Sequence, residues 1–112
     1  MTPLATRRTV RIYRSEDGQC PYKEWFKALR DIRAQTRIAQ RIDRIATGNL
    51  GDVKPVGDGL LELRVDYGPG YRVYFGQHGS DTVIILCAGD KRTQDMDIKT
   101  AQRYWADWRA RP

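Results

Sequence analysis

Apolar positions along the chain change their period several times, and each change marks an element. Thr9 to Arg14 alternates, with Val10 and Ile12 on one face and Arg11 and Tyr13 near the other, which predicts a strand. Ser15-Glu16-Asp17-Gly18 breaks it. Pro21 then stands where a helix can begin, because the N–H it lacks has no partner in a first turn. Tyr22, Trp25, Phe26 and Leu29 follow at the i, i+3, i+4, i+7 spacing of a buried helical stripe. A second helix is predicted from about Asp31 to Thr47, with Ile38, Ile42 and Ile45 turned inward and Gly48-Asn49 suited to a left-handed cap. The period then returns to two. Strands are predicted over Leu60–Asp66, Tyr71–Phe75 and Thr82–Ala88, joined by turn sequences of hairpin length at Tyr67-Gly68-Pro69-Gly70 and Gln77-His78-Gly79-Ser80-Asp81. After Gly89-Asp90-Lys91-Arg92, Thr93 is placed to cap a last helix whose first turn carries Asp95 and Asp97, where the helix dipole favours negative charge. Ile98, Ala101, Trp105 and Trp108 form its stripe, and it ends near Arg109.

The resulting order, β-α-α-β-β-β-α, predicts an α+β fold: a small antiparallel-rich sheet with two N-terminal helices packed on it and a C-terminal helix. Register follows from the pattern. Leu61, Leu63 and Val65 share one face of their strand, and Tyr71, Val73 and Phe75 share one face of the next. Pairing apolar with apolar sets Leu63 opposite Val73 and Val65 opposite Tyr71. The other face then brings Arg64 across from Arg72 and Glu62 across from Tyr74.

Composition adds a direction. The chain has 112 residues, a length that suits one domain over residues 1–112, and its formal net charge is +6 with most of the cations arginine. A basic surface is drawn to polyanions, and the planar guanidinium fork suits bidentate phosphate contact. Arg33, Arg37, Arg41 and Arg44 recur along the outer face of the second helix, either as a solvated stripe or as an RNA- or protein-facing surface. Cys20 and Cys87 lack a CxxC or histidine partner and read as buried reduced thiols. No stretch approaches the ~20 apolar residues of a membrane span, and Met1-Thr2-Pro3-Leu4 lacks an apolar signal core, so a cytoplasmic protein with no membrane partner is expected. His78 falls in a hairpin turn and reads as a surface residue.

Two arginines directly opposed on a sheet face repel each other. Either carboxylates such as Glu62 or Asp66 answer them in a structural ladder, or an anion binds between them. Lys91 and Arg92, just past the third strand, lie within reach of that face. Such a surface suits RNA cleavage. RNA supplies its own 2′-OH nucleophile, so the protein needs proton transfer and cations aimed at the developing phosphorane charge, with no metal or other cofactor. Arg72, Arg64, Glu62 and Lys91 are the candidate catalytic residues, with Glu62 as base; Arg92, Lys54, Arg37 and Arg41 are candidate RNA contacts.

The run from Gly59 to Phe75, with its Glu62-Leu63-Arg64 and Gly70-Tyr71-Arg72 signals, resembles the RelE/ParE toxin superfamily, more narrowly its HigB-like "addiction module killer" branch. Leu86 to Ile98 and the Pro21-Tyr22-Lys23-Glu24-Trp25 helix start are similar to the same branch, so the likeness spans nearly the whole chain. It implies a RelE-like fold and the toxin of a type II toxin–antitoxin system, held inactive by a cognate antitoxin, a small helix-turn-helix protein. It further implies cleavage of mRNA on the ribosome, with Arg72 stabilising the scissile phosphate and Lys91 or Arg92 contributing. The chain departs from RelE-type members that carry lysines where it has Leu60 and Glu62, and a tyrosine where it has Ile98. Their lysine-plus-tyrosine acid/base pair does not transfer, and Glu62 as base is an inference from chemistry alone. Two other functions fit the sequence: a ParE-like inhibitor of DNA gyrase, and a non-catalytic RNA-binding module.

Overall fold

The structure, a computed structural model, describes residues 7–112. The Met1-Thr2-Pro3-Leu4 segment, read above for its lack of a signal core, lies outside the described residues. Among the described residues no helix is long and apolar enough to cross a membrane.

The elements run β1 (Thr9–Ile12), α1 (Pro21–Ala28), α2 (Ile32–Ala46), β2 (Val53–Gly57), β3 (Leu60–Val65), β4 (Tyr71–His78), β5 (Thr82–Asp90), a 3-10 turn (Lys91–Thr93) and α3 (Gln94–Ala110). The fold is the expected α+β arrangement with one strand more than the periodicity indicated. That strand, β2, contains Pro55, which cannot donate to a ladder and is tolerated at a sheet edge. The sheet order β1-β5-β4-β3-β2 puts it there. β1 forms the other edge and runs parallel to β5, while the remaining described pairs are antiparallel.

Local chemistry explains the helix boundaries. Asp31 precedes α2, and its carboxylate accepts from the backbone N–H groups of Arg33 and Ala34 at 2.9 and 3.2 Å. Past the other end, Gly48 has φ 96° and the Asn49 amide reaches back to the Arg44 carbonyl at 2.8 Å. Thr93 does stand at the start of α3, but its hydroxyl bonds the Asp97 carboxylate at 2.5 Å and no backbone amide.

β3 and β4 pair in the expected register: Leu63 faces Val73, Val65 faces Tyr71, Arg64 faces Arg72 and Glu62 faces Tyr74. The sheet carries a core on each side. On one, Tyr22 of α1 and Ala34, Ile38 and Ile45 of α2 cover Leu63, Val65, Val73 and Phe75. On the other, Ala101 and Trp105 of α3 cover Leu60, Tyr74, Ile84 and Leu86. β5 lies between β1 and β4 with both faces covered, so its apolar run is continuous rather than alternating. A bulge between β4 and β5 places the consecutive residues Leu86 and Cys87 in the same α3-side core.

Two glycines let α3 approach the strands. A Cβ on Gly76 would sit 2.6 Å from the Trp105 ring, and one on Gly89 would overlap the Asp97 carboxylate. The Trp105 indole N–H also donates to the Asp58 carbonyl in the β2–β3 turn at 2.9 Å. α3 is thereby pinned at both ends of one sheet face.

Candidate functional site

Arg72 sits near the start of β4, just after the β3–β4 loop. Its Nη1 donates to the Gly70 carbonyl at 2.8 Å, and its Nε lies 3.5 Å from Glu62 Oε1. Glu62 is fully buried beneath the start of α3, where Gln94 Nε2 donates to its Oε2 at 2.8 Å. A buried carboxylate needs such partners, because its charge is otherwise far more stable in water. Tyr74 stands directly across from Glu62 on β4, and burial together with the Glu62 charge lifts its phenol well above the ordinary value.

The opposed arginines are each answered by one carboxylate. Arg72 has Glu62, and Arg64 has Asp52 at 2.8 Å. Asp52 precedes β2, so the missed strand also concealed this partner. Asp66 forms no ion pair among the described residues. The salt-bridge ladder therefore exists, yet the guanidinium groups still share a cleft. Arg64, Arg72 and Lys91 line an open space of about 440 Å³ together with Asp52, Asp66 and the Gly68–Tyr71 segment. Three cations and two carboxylates border it. Lys91 is placed there by the 3-10 turn at the foot of α3.

Val65 and Asp66 also border a second groove of about 230 Å³, whose other lining residues are Arg37, Gln40, Arg41 and Arg44 of α2. The arginine stripe thus continues from the cleft rather than facing away from it. Its members are not equivalent. Arg41 bonds the Arg64 carbonyl at 2.6 Å and reaches the Asp52 carbonyl at 3.5 Å, whereas Arg37 lies over the Tyr67 ring at 4.9 Å with its donors free of any described protein partner. Lys54 is exposed on the edge strand, in register with Glu62 but outside both grooves. Arg92 is 81% exposed, paired with Asp90 at 2.9 Å, and also outside the main cleft.

The remaining sequence expectations fall away from this face. His78 is exposed at the end of β4, edge-on to Trp108, and Cys20 and Cys87 are buried free thiols. Trp105 belongs to the core, while Trp108 stacks on it at 5.5 Å and is half-buried. Among the described residues no group of three His, Cys, Asp or Glu is placed to hold a metal ion. Sequence reasoning missed Asp52 and Gln94. Asp52 was recoverable from an edge strand at Val53–Gly57; nothing in the pattern pointed Gln94 at Glu62.

Comparison with known proteins covers this same region. The family model "Phage derived protein Gp49-like (DUF891)" matches residues 24–105, which include every residue lining the two grooves. An uncharacterized protein of Haemophilus influenzae (strain ATCC 51907 / DSM 11121 / KW20 / Rd) is 49% identical over 81 residues, covering 72% of this chain and 82% of the relative.

Proposed function

Because the chain belongs to the Gp49-like phage-derived family, a RelE-like toxin family of toxin–antitoxin systems, we propose that residues 1–112 form one toxin domain that cleaves mRNA on the ribosome. The observation that carries this reading is the convergence of Arg72, Arg64 and Lys91 on one cleft that continues into the α2 arginine groove. A sugar-phosphate chain laid along that path meets cations at successive positions. The Gly-Tyr-Arg signal of the β3–β4 hairpin supports placement in the HigB-like branch, with a helix-turn-helix antitoxin as partner and the cytoplasm as its setting.

In this mechanism the 2′-oxygen attacks the adjacent phosphorus, closing a 2′,3′-cyclic phosphate, and the P–O5′ bond breaks with the leaving 5′-oxygen taking a proton from water. Arg72 and Lys91 neutralise the extra charge on the phosphorane oxygens, and Arg64 holds the flanking phosphate. Glu62 is shut under α3, out of reach of a 2′-hydroxyl in the cleft, and its role is to hold Arg72. Of the two carboxylates lining the cleft, Asp52 is engaged by Arg64, which leaves Asp66 to accept the 2′-proton. No step requires a cofactor.

A translation extract set beside a DNA gyrase supercoiling assay tests the reading. The expected result is mRNA cut during translation with supercoiling untouched, and in Arg72→Ala a loss of growth inhibition with only residual, measurable cleavage while the fold survives. Intact mRNA with blocked supercoiling would instead favour the gyrase-inhibitor reading. RNA binding without cleavage by the unaltered protein would favour a non-catalytic module.

A further inference from the structure

We infer that Gln94 is a positioning residue for the cleft: its side-chain amide holds Glu62, and Glu62 in turn sets the Arg72 guanidinium toward the phosphate. The inference rests on the nuclease reading above and deepens it. Three observations carry it. Gln94 Nε2 donates to Glu62 Oε2 at 2.8 Å across 32 positions of sequence, so the contact exists only when the foot of α3 is seated on β3. Glu62 presents its other oxygen to Arg72 Nε at 3.5 Å, a buried ion pair (side chains 0% and 13% exposed) in which neither atom has a hydrogen bond among the described residues, so charge alone joins them. Arg72 Nη1 donates to the carbonyl of Gly70, itself a cleft residue, at 2.8 Å while Nε faces Glu62, so the guanidinium is fixed at the cleft wall by one hydrogen bond and one buried ion pair. A guanidinium held by one hydrogen bond and one buried ion pair is restrained in orientation, and restrained donors stabilise developing charge with less reorganisation.

The same arrangement ties the two catalytic cations together. Lys91 lies in the 3-10 turn that leads directly into Gln94. One short segment therefore supplies a cation to the cleft and, three residues later, the amide that orders the other cation from behind.

Gln94→Met keeps the side-chain volume and deletes the donor. Relative to the unaltered toxin, it is expected to slow cleavage in the translation extract about 10- to 100-fold, the scale of a misplaced catalytic group. Affinity for a non-cleavable 2′-deoxy substrate should stay within about twofold, because Arg37, Arg64 and Lys91 remain in place. In an Arg72→Ala background the same substitution should add less than about twofold, since there is no guanidinium left to position. Equal slowing in both backgrounds would overturn the inference and mark Gln94 as merely structural. A second readout needs no activity. In the NMR spectrum of the full chain, the Arg72 Nε–H resonance should shift and exchange faster with water in Gln94→Met, and an unchanged signal would also overturn the inference. If the unaltered protein cuts no RNA, the nuclease reading fails, and the resonance alone then decides whether Gln94 orders Arg72.

Discussion

Asp52 and Glu62 differ in what each leaves free on the arginine it holds. The Arg64–Asp52 pair has side chains 43% and 51% exposed, and solvent screening leaves a pair in that setting little weight in stability. If RNA binds in the cleft as proposed, its larger effect is on that binding, because Asp52 occupies donors that a phosphate would otherwise take. Asp52→Asn is therefore expected to leave the denaturation midpoint nearly unchanged and to tighten RNA binding, read by titration with a non-cleavable oligonucleotide. Weaker binding in that variant would show that Arg64 meets RNA only while Asp52 orients it. Glu62 is the opposite case. Glu62→Ala removes the carboxylate that faces the mostly buried inner edge of Arg72 and leaves Gln94 without its acceptor, and should lower stability by about 3 kcal/mol in urea denaturation. Like-charge opposition at Arg64 and Arg72 was legible from pattern alone, because alternation fixes which residues face each other. Glu62 was among the carboxylates expected to answer them; Asp52 was not, because it stands just before a strand whose proline and flanking glycines hide its period.

At the scale of elements, the helices of the first layer were readable and the placement of α3 was not. Tyr22, Ile38 and Ile45 declare an inward face through their spacing, and Asp31 and Gly48 mark ends. The β3–β4 register followed from the same alternation. Where α3 settles depends instead on two residues without side chains. Gly76 and Gly89 lie on adjacent strands and make the channel into which Trp105 and Asp97 descend. A glycine inside a strand is a weak signal by itself; its meaning here comes from a helix far along the chain. Gly76→Ala forces a methyl into the Trp105 ring, and overpacking of this kind costs roughly 1–3 kcal/mol. Gly89→Ala should cost a similar amount by displacing Asp97, and because that displacement moves the foot of α3 it should also slow RNA cleavage. Urea denaturation and the cleavage rate, measured on both variants, separate the two positions: Gly76→Ala loses stability first, Gly89→Ala loses both together. Retained stability in both would mean that α3 can shift along the sheet without loss of packing.

Across the whole molecule, the two cores share a response to alkaline pH. Burial, with the Asp97 charge as a lesser contributor, pushes the Cys87 thiol up to about 12 from 9.0; burial alone takes the Tyr22 phenol up to about 12 from 10.0; and burial followed by the hydrogen bond to Asp107 does the same for Tyr13. All three are acids whose neutral form the fold favours. Their contribution is complete below the unfolded-state values and is lost as pH rises toward 12. The urea midpoint should be level up to about pH 9 and fall between pH 9 and 12, and Cys87→Ala should move the onset to about pH 10, where the tyrosines begin to ionise in the unfolded chain. The surface answers to salt instead. If a single strand runs from the Arg72 cleft across Val65 and Asp66 into the α2 groove, each arginine that meets a phosphate adds about 0.7 to the slope of log affinity against log salt. Arg37 has its donors free of any partner among the described residues, so Arg37→Ala should lower that slope by about 0.7 with the fold intact. Arg41 is committed to the Arg64 and Asp52 carbonyls, so Arg41→Ala should instead lower stability, and its effect on the slope should be smaller. An unchanged slope in Arg37→Ala would confine RNA to the first cleft and return the arginine stripe of α2 to the solvent.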